Sequence, residues 1–464
     1  MTKLLRPGAA AAAAALAVAG VATAVAGPDQ AAALRPPDTA KDPRIPFERY
    51  TLDNGLEVIL IPDNTVPLVA VDVWYHVGSG VEAVGKSGFA HLFEHMLFQG
   101  SQNVGSDRHF EILRKIGASP NGTTNTDRTN YFEVVPSNQL EAALWLESDR
   151  MGYLLPLLTE PSFRNQVEVV RNERRQRIDN VPYGKERLAL ADALFPEGHP
   201  YKYTVIGRHE DLAAASVDDV VAFFKTWYVP ANATLTLAGD FDVAEAKRLV
   251  GRWFGSFPRA AKPKLVQVPA PVVAPRRVDV ADGLAKLRQV TWAWITPAQF
   301  APGDAELDIA ADALAHTGTG RLYKILVHEK QLAQNVSAFQ ASGGFSSTFT
   351  VTVTLRSGVD QAEVENIVDA ELERLRKEPV ADREIARVAV AFEARAIRGL
   401  EDLLTRAETL QTYNHYLGDP DKVTWDLDRY RKATAEGVRA TVAEHLRPDR
   451  RILLVTTPAA GGGK

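Results

Sequence analysis

The string His91-Leu92-Phe93-Glu94-His95 carries the clearest chemistry in the chain. On a helix, residues four apart lie on one face, one turn above each other. Two imidazoles so placed can grip one zinc ion, and a glutamate beside the second can act as base toward an attacking water. The better-known zinc-hydrolase string puts the glutamate beside the first histidine; here the order is inverted. Solvated or capped histidines are the plain alternative. Against it, Phe89, Phe93, Met96, Leu97 and Phe98 make this helix strongly apolar. Two histidines and a glutamate on a buried helix need partners, and a metal ion supplies one.

A catalytic zinc wants a third protein ligand and an open position. The segment 161–180 offers Glu168 and Glu173. Stepping about 100° per residue, Phe163, Val167 and Val170 form an apolar stripe. Glu173 falls roughly 60° from Val170, on the flank of that stripe, as does Gln166; Glu168 falls roughly 160° away, toward solvent. Glu173 is thus the inward carboxylate. Without the upstream motif, a surface pair with Arg177 one turn on would explain it equally well.

These residues must be positioned by a substantial fold. The chain has 464 residues, 45% hydrophobic and 24% charged, long enough for two or three domains with real cores. Net charge is −5 with no basic run, which leaves nucleic-acid binding unsupported. The absence of cysteine removes disulfides, thiolate-bound zinc, iron–sulfur clusters and thiol nucleophiles together. Residues 1–26 read as a signal peptide: Lys3 and Arg6, an alanine-rich apolar run, then Ala24-Val25-Ala26 as a cleavage site. An uncleaved anchor is the alternative. Beyond this run no stretch approaches the length of a membrane span. An exported protein, periplasmic or secreted, is expected.

Residues 27–45 form a leader rich in Ala, Pro and Asp. Strands are expected at 58–62 and 69–77, and the motif helix runs from near Gly88 to a close at Gln99-Gly100. A helix follows at 107–116, one exposed threonine-rich strand over 121–135, helices at 138–155, 161–180 and 217–228, a strand at 233–239 and a helix at 244–254. Residues 258–275 hold Pro263, Pro269, Pro271 and Pro275 and read as an extended linker. The same grammar then resumes, with strands near Val278, 289–295, Ser337, 349–355 and 452–457, and helices at 306–315, 361–377 and 385–412. The expected class is α+β: two similar domains, 46–257 and 276–464, each a mostly antiparallel sheet with helices packed on one face.

The chain resembles the pitrilysin (M16) family, which includes mitochondrial processing peptidases and bacterial exported peptidases. The resemblance runs over nearly the whole mature chain. It is carried by His91–His95, by Asn121-Gly122-Thr123-Thr124-Asn125-Thr126-Asp127-Arg128-Thr129-Asn130-Tyr131, and by Val169-Val170-Arg171-Asn172-Glu173-Arg174-Arg175. His199-Pro200-Tyr201, Val205-Ile206-Gly207, Tyr228-Val229-Pro230-Ala231-Asn232 and Gly239-Asp240 extend it. It implies a zinc metalloendopeptidase with one zinc ion per chain on His91, His95 and Glu173, and with Glu94 as general base. It also implies that Asn121, Gly122, Thr123 and Thr124 lie on an edge strand that pairs with an extended peptide.

Two departures matter. Gln166 stands where many relatives carry a second glutamate, so it can hydrogen-bond but not move a proton. Val327 and Gln334 stand where self-sufficient relatives carry an Arg and a Tyr that hold the peptide. The family pattern then implies a heterodimer, with a metal-free homologous subunit supplying that pair. A self-sufficient homodimer and a non-catalytic core subunit of a processing-peptidase-like complex are the alternatives.

Overall fold

The computed structural model describes residues 42–106 and 108–459. The signal segment 1–26 and the leader up to residue 41 lie outside the described residues.

Among the described residues, eleven strands form two sheets. The first half contributes β1 (Glu48–Thr51), β2 (Glu57–Pro62), β3 (Leu68–Tyr75), β4 (Ser119–Thr124), β5 (Thr129–Pro136) and β6 (Ala233–Gly239), in the order β1-β2-β6-β3-β5-β4. The second contributes β7 (Arg276–Asp282), β8 (Gln289–Thr296), β9 (Ala333–Ala341), β10 (Ser347–Leu355) and β11 (Ile452–Pro458), in the order β7-β11-β8-β10-β9. Leaving out β1, the two orders are the same. In each half the last strand inserts parallel to the first, as β6 beside β2 and β11 beside β7, and every other pairing is antiparallel. The mostly antiparallel, two-domain α+β architecture is therefore present, and the halves share topology where they share few letters.

Alternation along the strands sends successive side chains to opposite faces. In the first half, Val58, Leu60, Val69, Val71, Leu235 and Leu237 face the half's own helices. Ile59, Ile61, Ala70 and Ala238 point the other way and meet Leu403, Ala407 and Leu410 of the helix Leu403–Leu417, which belongs to the second half. The exchange is reciprocal. Helix Gly184–Leu194 of the first half covers the outer face of the second sheet, where Leu194 meets Ala293 and Ile452. Its Glu186 accepts hydrogen bonds from Gln289, Thr291 and Thr456 at 2.6 to 3.0 Å. Each half thus buries both faces of its sheet only with the other half's help.

Three expectations need correction. The segment 121–135 is a hairpin, β4 and β5, because Asn125 builds a turn by accepting the N–H groups of Asp127 and Arg128 at 2.7 and 2.8 Å. The single helix expected over 385–412 is two, Asp382–Gly399 and Leu403–Leu417. Asp402 starts the second by accepting from the N–H of Thr405 at 2.7 Å. The motif helix ends at Met96, short of Gln99-Gly100. Residues 258–275 carry no regular secondary structure. Among the described residues, no helix is long and apolar enough to cross a membrane.

Candidate metal centre

The motif helix, Phe89–Met96, begins at Gly88, whose φ of 91° suits glycine. A Cβ there would lie 2.7 Å from the carbonyl oxygen of Ile206, so the close approach of that loop also demands glycine. Glu82 serves the helix start by accepting the N–H groups of Gly88 and Ala90, both at 2.8 Å. An acceptor there satisfies orphan donors of the first turn. Phe89, Leu92, Phe93 and Met96 anchor the helix in the first core. That burial turns His91 and His95 toward helix Glu160–Arg174, which packs against it.

Helix Glu160–Arg174 starts on a capping box, Thr159 with Ser162, and buries Phe163, Gln166, Val167 and Val170. Glu168 stays exposed and pairs with Arg171. Glu173 turns inward: its Oε2 lies 3.1 Å from His95 Nε2 and 3.7 Å from His91 Nε2, while its Oε1 takes the Arg177 guanidinium at 2.8 Å. The surface pair with Arg177 and the inward contact therefore coexist on two oxygens of one carboxylate. The segment continues as a π-helix, Arg175–Asp179, where the sequence suggests unbroken α-helix. Such bulges recur at functional sites because they re-aim neighbouring side chains.

One ligand atom from each of His91, His95 and Glu173 falls within 4.8 Å of the others. Among the described residues this is the sole such cluster of three or more. The donor set, two imidazoles and a carboxylate, suits zinc. Burial, reinforced by neighbouring His95, holds His91 down to about 4, so its ring is neutral as a ligand must be. The hydrogen bond with His95, together with the flanking His91 and Arg177, keeps Glu173 below its ordinary range and ionised. His91 Nδ1 is buried with no hydrogen-bond partner in the protein. A metal-bound imidazole usually has a carboxylate or carbonyl on that nitrogen, so its ring is oriented by packing instead.

Glu94 stands outside the cluster, half-buried, and its carboxyl is pushed up by burial. It accepts a hydrogen bond from Thr124 Oγ1 at 2.6 Å, which ties it to β4. A Cβ on Gly122 would lie 3.2 Å from Glu94 Cγ and 2.9 Å from Phe98 Cε2, so a side chain there would crowd the site. The sheet order makes β4 an unpaired edge, with Asn121, Gly122, Thr123 and Thr124 on it. Gln166 is 4% exposed and shares the inward side of the helix that carries Glu173. The sequence reading missed Thr124 as the partner of Glu94; a hydroxyl thirty positions away leaves no local pattern.

In the second half, Val327 lies within the π-helix Lys324–Glu329 and packs against the second core. Gln334 is exposed on β9, an edge strand of the second sheet that corresponds to β4 in the first. Arg321 and Arg356, which flank this stretch, are held by Glu384 and by the Ala333 carbonyl oxygen.

A two-half α+β fold with an inverted His-x-x-Glu-His helix and a downstream glutamate is the pattern of the M16 peptidases. Two family models match the chain, "Insulinase (Peptidase family M16)" over residues 57–193 and "Peptidase M16 inactive domain" over residues 214–391. Together they span about two thirds of its length, and the chain belongs to the M16 peptidase family. The second model begins upstream of the Pro-rich segment and takes in β6 of the first sheet. The chain is 29% identical to the zinc protease PqqE of Helicobacter pylori over 361 residues, which cover 76% of this chain and 80% of that one. It is 25% identical over 430 residues to an uncharacterized zinc protease of Mycobacterium bovis, covering 90% and 92%. The crystal structure of a protease from H. pylori superposes with a TM-score of 0.82 at 25% identity, over 89% of this chain and all of that one. The periplasmic protease PqqL of Escherichia coli shares the fold, with a TM-score of 0.76 at 17% identity, over 91% of this chain but 48% of that one.

Proposed function

We propose that this peptidase is a zinc-dependent endopeptidase that cleaves extended or unfolded peptides, and that the chain is the metal-bearing subunit of a heterodimer. One observation carries the reading: the three candidate ligands converge within 4.8 Å, and Glu94, on the same helix as two of them, is tied to a free sheet edge. His91, His95 and Glu173 would hold one zinc ion. Zinc so held supplies Lewis-acid activation of water and of a carbonyl oxygen. Glu94 takes the proton from the attacking water and later returns it to the leaving amine. Its raised carboxyl suits a group that must both accept and donate. Residues 121–124 pair with the peptide backbone as an added strand, so shape is read more than sequence. Gln166, lacking a titratable proton, takes no part in proton handling.

The partner is inferred from the second half. Val327 is packed inward and Gln334 carries no charge, so neither of these positions offers the Arg or Tyr that would hold the peptide carbonyl. A metal-free homologous subunit would supply it. Residues 1–26 would direct export to the periplasm or beyond.

The test is cleavage of a mixed peptide pool by the purified chain, alone and co-expressed with a metal-free homologue, with and without chelator. Chelator-sensitive cleavage that needs the second subunit is the expected result. Full activity from the chain alone would defeat the heterodimer, and cleavage indifferent to chelator would defeat the zinc mechanism.

A further inference from the structure

The β4–β5 turn is tied down far more heavily than a hairpin loop needs. Asp127 accepts hydrogen bonds from the Tyr201 hydroxyl, from the Tyr416 hydroxyl at 2.9 Å and from the Gly344 N–H at 3.0 Å. Tyr416 lies on helix Leu403–Leu417 and Gly344 in the β9–β10 turn, so two of these three donors come from the second half. The Tyr201 hydroxyl itself accepts from the Phe345 N–H at 3.0 Å. The tips of the two edge hairpins, β4–β5 and β9–β10, therefore meet at Asp127.

Arg128 turns back along the first hairpin. Its Nη1 donates to the Thr123 carbonyl at 3.1 Å, to Asn130 Oδ1 at 3.0 Å and to the Thr123 hydroxyl. Its guanidinium lies 4.7 Å from the centroid of the Trp74 ring. Trp74 and Asn130 both donate to the buried Asp72, at 2.9 and 3.0 Å. Successive strand residues point to opposite faces, so Thr123 is gripped from one side while Thr124 holds Glu94 on the other.

We infer that Asp127 and Arg128 are positioning residues: Asp127 fixes the turn against the second half, and Arg128 carries that placement into the free edge β4. This gives the second half, which has no metal cluster among its described residues, a task at the site. The kinetic consequence rests on the edge-strand reading above; the structural consequence does not.

The test compares Asp127→Ala, Arg128→Lys and Tyr416→Phe with the wild-type chain. Amide hydrogen exchange is followed across residues 119–124 and 89–96, with metal content and cleavage of a long and a short unstructured peptide measured on the active assembly. Exchange across 119–124 is expected to quicken in all three while 89–96 and bound metal stay unchanged. KM for the long peptide should rise on the order of tenfold for Asp127→Ala and Arg128→Lys, and less for Tyr416→Phe, with the short peptide little affected. Lysine keeps the charge but loses the planar guanidinium that lies 4.7 Å from the Trp74 ring centroid and orients the donating nitrogen. Tyr416→Phe removes one hydroxyl and keeps the ring, so it decides the matter should Asp127→Ala fold poorly. Unchanged exchange across 119–124 in the folded variants, full function in Arg128→Lys, or loss of metal in place of a KM effect would overturn the assignment. A wild type that cleaves nothing would sink the peptidase reading, and exchange would still decide the brace.

Discussion

Glu94→Gln separates proton handling from metal holding. Glu94 is half-buried on the motif helix and accepts one hydrogen bond, from Thr124 Oγ1 at 2.6 Å. An amide of the same shape keeps that bond through its oxygen, so β4 should not move. Burial already pushes the Glu94 carboxyl up, so removing its charge relieves a desolvation cost. The melting temperature is therefore expected to hold or rise slightly. Zinc content should be unchanged, because Glu94 is outside the set that converges within 4.8 Å. What is lost is the base. General base catalysis is worth roughly 10²–10⁴-fold, or on the order of 3–5 kcal/mol of barrier. The fall should appear in kcat with KM nearly constant, since peptide binding is assigned to β4. The assay is steady-state cleavage of an unstructured peptide beside metal analysis and thermal melts of the same preparation. Turnover within about tenfold of wild type with zinc bound would refute Glu94 as the base. Loss of zinc would refute the division between ligand set and base.

Glu173→Ala should lose zinc by more than the roughly 10–100-fold that a missing outer partner costs, whereas Glu168→Ala should bind it normally; equal zinc content in the two would contradict the helix-face assignment. Gly122→Ala should depress kcat/KM and cost about 1–3 kcal/mol of stability by overpacking, because its Cβ would meet Phe98 and Glu94 at 2.9 and 3.2 Å; calorimetry and kinetics on one preparation check both. Burial raises Asp308 to about 6, with the Tyr430 hydroxyl donating to it. The folded chain then holds that proton more tightly than the unfolded chain. Asp308 therefore costs stability above its folded value, and that cost fades as pH falls toward the unfolded value. Asp308→Asn should stabilise by at most about 3 kcal/mol near about pH 8 and by almost nothing near about pH 3, as urea denaturation would show. Zinc removal should lower the melting temperature, and readdition should restore it in a concentration-dependent way.

Local chemistry made much of the site legible. The i, i+4 histidines share a helix face by geometry, and the apolar residues around them forecast burial. Glu173 was separable from Glu168 because a helix has two sides and only one carried the apolar stripe. The Pro-rich stretch 258–275 was visible from composition. The segment 121–135 reads as one strand because Asn125-Thr126-Asp127-Arg128 lacks glycine, and its turn depends on the Asn125 side chain accepting the backbone N–H groups of Asp127 and Arg128. The break near residue 400 has a local signal in Gly399 and Asp402, which the helix-forming Leu400, Glu401 and Leu403 around them mask.

The sequence by itself determined the candidate ligand types, their spacing, the apolar faces and the α+β alternation, because each is set by periods of two or 3.6 residues. Only the tertiary structure decided the rest. It joined Glu173 to histidines some eighty positions away, set Thr124 against Glu94, laid Leu403–Leu417 across the first sheet and brought Tyr416 and Gly344 to Asp127. Such contacts arise from the order in which strands enter a sheet and from the need to cover both its faces, and no local period encodes them.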